Sequence, residues 1–123
     1  MPMDVLVVCP ANCATGGPEA LHEFASELNK VDGVHSDIWY WDIMRDPPMP
    51  EEYRSYGCSY VTDMPSGFNG VLVVPEIWAN RILEYPNCAR AIYWLGIDAY
   101  AGWTPSEERG AFLKDDRDRK SVV

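Results

Sequence analysis

Residues 4–28 read DVLVVCPANCATGGPEALHEFASEL, and this stretch decides the fold. Residues 5–8 form an unbroken β-branched and leucine run. Parallel strands covered by helices on both faces look like this, because neither face needs polar residues. A polar loop with a glycine pair, Gly16 and Gly17, follows. A helix is then predicted from about residue 18 to residue 29. Leu21, Phe24, Ala25 and Leu28 fall at i, i+3, i+4 and i+7, which makes one apolar stripe. Pro18 suits the first helical turn, where its missing N–H costs nothing. Glu19 complements the positive helix end. His22 falls beside the stripe and reads as a polar-face residue.

Working outward, strands and helices alternate. A second strand is predicted at SDIWYWDI (36–43), where two tryptophans suggest partial exposure. EEYRSYG (51–57) reads as a short helix, CSYVT (58–62) as a short edge strand and DMPSGFNG (63–70) as a turn cluster. VLVV recurs at 71–74 as a second buried strand. PEIWANRILEY (75–85) is helical in pattern, with Ile77, Arg81 and Ile82 bracketing one face. ARAIYWLGID (89–98) reads as a fifth strand. This alternation predicts an α/β, Rossmann-like three-layer α/β/α domain. Its parallel sheet has about five strands in the order 3-2-1-4-5, with the first strand central. The domain is expected to span 1–105, and 106–123 to form a charged C-terminal helix or tail.

Composition narrows the function. The chain has 123 residues, 47% of them hydrophobic, and a formal net charge of −9. That size and content suit one globular domain. The acidic balance argues against broad nucleic-acid binding or docking on anionic lipid, both of which need a basic face. The N-terminus has no positively charged leader pattern, and no run approaches the roughly 18 apolar residues of a membrane span. Cys9, Cys13, Cys58 and Cys88 read as free thiols in a reducing cytoplasm, with no zinc spacing among them. Cys9 lies near a helix N-terminus, which can lower a thiol pKa, but no base accompanies it. Neither His22 nor His35 has metal-ligand company, so no metal site is expected.

In open parallel sheets, ligands bind beyond the carboxyl ends of the strands, near the point where strand order reverses. That edge carries PANCATGGPE after the first strand, PEIWAN after the fourth and GIDAYAGW after the fifth. Thr15, Gly16 and Gly17 can present backbone N–H groups to an anion at a helix start, or simply form a tight turn. Asn12 reads as a turn-former or a ligand contact. Glu19 and Glu76 read as first-turn carboxylates or as acceptors for a ligand hydroxyl. Asp98, ringed in sequence by Trp94 and Tyr100, reads as a general base or as a turn cap.

TGGPE, VPEI and YWLGIDAY, in that order, resemble the N-terminal domain of bacterial GT-B-type glycosyltransferase-like proteins linked to polysaccharide biosynthesis. The resemblance covers about residues 3–103. It implies an acceptor-side half-domain of an enzyme that uses a nucleotide-sugar donor and a glycan acceptor, with no further cofactor. It carries Gly16, Gly17 and Glu19 onto the loop, Pro75 and Glu76 onto the second motif, and Trp94 and Asp98 onto the third. GID stands where the family pattern has SVD, and Ala99 where it has Asn, which alters the surroundings of Asp98. The donor-binding second domain is not in these 123 residues, so activity is expected to need that domain or a partner. The competing reading is a non-catalytic interaction module, whose aromatic IWYWDI strand contacts a partner protein or a second copy.

Overall fold

The computed structural model describes residues 2–94. Asp98, Tyr100, the boundary at 105 and the tail 106–123 lie outside them. The described chain is a five-stranded, all-parallel sheet flanked by helices, in the order β3-β2-β1-β4-β5. The strands are β1 (Met3–Pro10), β2 (Val34–Trp41), β3 (Ser59–Val61), β4 (Val71–Pro75) and β5 (Ala89–Tyr93). Helix α1 spans Gly16–Leu28, and two 3-10 helices span Glu51–Tyr56 and Glu76–Glu84. The expected architecture and strand order both hold.

β1 is central because it pairs on both edges. It runs alongside β2 over its whole length, Met3 opposite Val34 through Pro10 opposite Trp41. It also pairs with β4 from Val5 to Val7. Its side chains alternate between two cores. Leu6 and Val8 join Trp39, Trp41, Leu72, Val74, Ala79, Ile82 and Ile92 under the second 3-10 helix. Val5, Val7 and Cys9 join Leu21, Ala25, Ile38, Tyr40 and Val73 under α1. Each buried valine, leucine or isoleucine among them contributes about 1.5–3 kcal/mol, which is why β1 carries no polar residue between Val5 and Val8.

Three expectations change. The tryptophans of β2 are buried: Trp39 is 7% exposed and Trp41 5%. β3 covers the outer edge of β2, so β2 is an interior strand whose odd and even residues both face cores. His22 is fully buried. The first 3-10 helix packs beside α1 and lays the Tyr53 ring 4.4 Å from the imidazole, so the buried side of α1 is wider than its leucine stripe. The segment after β4 is a 3-10 helix broken at Trp78, not a regular α-helix. Ile82 still faces the core from it, while Arg81 lies 4.0 Å over the Trp41 ring.

One glycine is fixed by close packing. A side chain at Gly70 would collide with the Asp4 carbonyl, where β4 enters beside β1. Backbone cannot swing aside there without breaking the β1–β4 ladder. Gly70→Ala therefore lowers unfolding free energy by about 1–3 kcal/mol in chemical denaturation. A change within a few tenths of a kcal/mol would contradict this packing.

Candidate functional site

The chain runs outward from β1 through β2 to β3, then crosses to the other side of β1 to form β4. The reversal point is therefore the gap between β1 and β4. A crevice of about 400 Å³ opens there, at the carboxyl ends of the strands. Ala11, Cys13 and Thr15 line it from the loop after β1. Asp42 and Met44 line it from beyond β2, and Ile77 and Trp78 from beyond β4. Trp41 forms part of the wall, its ring 5.1 Å from that of Trp78 at 47°. The lining is mostly apolar, and Thr15 and Asp42 are its polar members.

The start of α1 borders this crevice. Thr15 is the N-cap, with extended backbone and no side-chain cap bond. Its carbonyl accepts the Glu19 N–H at 3.0 Å. It also accepts the Tyr53 hydroxyl at 3.0 Å. A Cβ placed on Gly16 would meet nothing within 4 Å, and Gly16 does not have a positive φ. Neither chain conformation nor packing requires a glycine there. What the glycine leaves is open space over the backbone at a helix N-terminus, where partial positive charge favours an anion.

The other sequence candidates divide. Asn12 is built into the loop. At φ 55° it donates its backbone N–H to Pro48 at 2.8 Å. Its side-chain carbonyl accepts the N–H groups of Met44 and Arg45, and its side-chain N–H donates to Pro47. It lines a second cavity of about 360 Å³ with Arg45 and Arg54, apart from the crevice lining. Glu19 is not among the residues lining the crevice; it accepts from Tyr56 at 3.1 Å, as does Glu23. The Tyr56 hydroxyl is pushed up to about 12, by desolvation first and then by these two carboxylates. Glu76 is buried at the carboxyl end of β4, next in sequence to the crevice residue Ile77. Trp94 packs half-buried against the core under the second 3-10 helix.

Burial keeps two of the thiols, Cys9 and Cys58, from ionising readily. Burial pushes the Cys9 thiol well up, so its place near the helix start does not make it a nucleophile. All four cysteines are free. Among the described residues, no group of three His, Cys, Asp or Glu side chains gathers to hold a metal ion. No helix among them is long and apolar enough to cross a membrane.

Sequence reasoning missed Trp41, Asp42 and Met44 as crevice residues, and it placed Trp78 at this edge within PEIWAN without singling it out. The signal was present, because residues 41–44 follow directly on β2 at the same carboxyl edge. Residues 41–43 were instead read as the end of the strand itself, part of a partly exposed aromatic surface. Asp42, in the crevice lining, adopts φ 57°, a left-handed conformation that Asp tolerates.

Compared with known protein families, with curated proteins and with solved structures, the chain matches none.

The space over Gly16 separates folding from binding. Gly16→Ala is expected to raise unfolding free energy by about 0.4–1 kcal/mol, because it restricts the unfolded chain without a clash. The same change is expected to weaken any anion held at the helix start. A destabilised Gly16→Ala protein would show that the glycine serves the turn itself.

Proposed function

We propose that the chain is the acceptor-side half of a nucleotide-sugar glycosyltransferase, acting in polysaccharide or glycoconjugate assembly in the cytoplasm. One observation carries the reading. The crevice at the strand-order reversal joins a tryptophan wall, Trp41 and Trp78, to the helix start at Thr15 and Pro18, with open space over the neighbouring Gly16. Indole faces and edges suit the apolar faces of sugar rings. A helix N-terminus suits phosphate. Thr15 and Asp42 supply the few polar groups that orient a ring in a mostly apolar pocket. In this reading Asp98, at the third resembling motif, is the base that takes the acceptor hydroxyl proton. The glycan acceptor lies against the tryptophans, and the donor phosphates approach the glycine loop from a second domain or partner.

A second reading has its own support. Met44 is 75% exposed and Ile43 41%, both beside the crevice. Apolar side chains standing in water at a cleft mouth suit contact with another protein chain. This replaces the exposed aromatic strand expected from sequence, since the β2 aromatics are buried.

Titration with UDP- and GDP-sugars and with simple glycosides, followed by tryptophan fluorescence, separates the two. The glycosyltransferase reading predicts saturable quenching in the wild type. In Trp78→Ala the same titration should show binding weakened at least tenfold, with the fold intact by circular dichroism. No saturable response to any of these ligands would overturn it.

A further inference from the structure

His22 is a buried titratable group that the proposed chemistry does not use, and its contacts lead directly to the helix start. Nδ1 lies 2.6 Å from the Pro18 carbonyl. Nε2 lies 2.6 Å from the Tyr40 hydroxyl. A carbonyl only accepts, so Nδ1 carries the proton. Nε2 of the neutral ring then accepts from Tyr40, and both nitrogens are satisfied with no charge present.

The same node grips α1 from a second side. The Tyr53 ring lies 4.4 Å from the imidazole, and the Tyr53 hydroxyl donates to the Thr15 carbonyl at 3.0 Å. The Cys58 thiol donates to the His22 carbonyl at 3.4 Å. Strand β2, the first 3-10 helix and the segment after it therefore converge on the first turns of α1. Thr15 and Pro18, both crevice residues, are held by this convergence.

We propose that neutral His22 is the pin that holds the start of α1 in place, and that its protonation releases the β1–α1 loop, making the crevice acid-sensitive. The regulatory meaning rests on the crevice being the functional site; the structural coupling does not. Protonation puts a second N–H on Nε2, facing a hydroxyl that already points its proton there. Tyr40 must then turn its own proton away, and at 1% exposure it has no water to give it to. The imidazolium would also lack a counter-ion at either nitrogen, since its partners are a carbonyl and a phenol.

The surrounding titratable groups do not repair this. Tyr40 and Cys9 from the sheet stay neutral, because burial raises both. Tyr53 and Cys58 stay neutral for the same reason. Glu19 and Glu23, on the helix itself, are exposed and hold the Tyr56 hydroxyl. Burial first, opposed by the Pro18 hydrogen bond, sets the His22 pKa below its usual value. The released loop thus binds the proton more tightly than the closed one. Closure is favoured above the ordinary histidine pKa of about 6.5 and weakens as pH falls below it.

Amide hydrogen exchange tests this on the intact chain, read at Glu19, whose N–H bonds the Thr15 carbonyl. After correction for intrinsic exchange, the wild-type protection factor at Glu19 is expected to fall at least tenfold between pH 7.5 and pH 5. In His22→Gln, which cannot titrate, that fall should disappear. In Tyr53→Phe, the His22 ring signals should still titrate below the ordinary histidine value. Glu19 protection in that variant should be low at both pH values, because the link to Thr15 is cut. If His22→Gln does not fold, the wild-type imidazole titration and Tyr53→Phe decide the matter. A His22 that titrates at its ordinary value, a wild-type protection factor unchanged by pH, or an equal fall in His22→Gln would overturn the proposal. None of these readouts involves a sugar, so failure here leaves the glycosyltransferase reading standing, and the reverse also holds.

Discussion

Everything in this structure depends on β1 being bonded on both edges and buried on both faces. A strand in that position has no solvent to satisfy its backbone, so it needs two parallel neighbours in register. It has no exposed face, so its side chains must be apolar throughout. The run at residues 5–8 meets both demands, with Val7 and Val8 fully buried. With β2 on one side and β4 on the other, the chain must reverse its direction of travel at β1. The reversal leaves two loops, after β1 and after β4, diverging at the same sheet edge. The crevice is the space between them. Its position follows from where β1 sits, before any side chain in it is considered.

The architecture was legible because it is written in periodicity. Continuous apolar runs at 5–8 and 71–74, separated by a helical stripe and breakers, specify buried parallel strands with crossovers. The stripe Leu21, Phe24, Ala25 and Leu28 was also readable, since each residue meets the core under α1. What was not legible was burial imposed by elements distant in sequence. His22 lies off the stripe and becomes interior only because Tyr53, 31 residues later, closes over it. Trp39 and Trp41 become interior because the short strand β3 and the 3-10 helix at Glu76–Glu84 cover them. Helix periodicity sees one chain segment at a time and cannot register such a lid.

The candidate site was half legible for a related reason. The topological rule pointed to the carboxyl edge where the crevice opens, and Thr15 lines the crevice there. Asn12 and Glu19 were candidates because they are polar and near the loop. The structure engages them elsewhere, Asn12 in tying down residues 44–48 and Glu19 with Tyr56. Polar side chains near a site are as often its scaffold as its contacts. Trp41 went unseen as crevice wall because it was read as part of a partly exposed strand, and Trp78 stood at this edge within PEIWAN without being singled out; an aromatic side chain serves equally as packing surface or as ligand wall. A pocket for a ring needs such residues, and the sequence offers no mark that separates the two uses.

The central claim is that the gap between the carboxyl ends of β1 and β4 binds a sugar-bearing ligand. Backbone chemical-shift mapping during titration with a UDP-sugar tests it most directly. The account predicts shifts concentrated in residues 11–18, 41–44 and 76–78, with the amino edge of the sheet undisturbed. Shifts clustered at that opposite edge, around His35 and residues 65–69, or no shifts at saturating ligand, would contradict it.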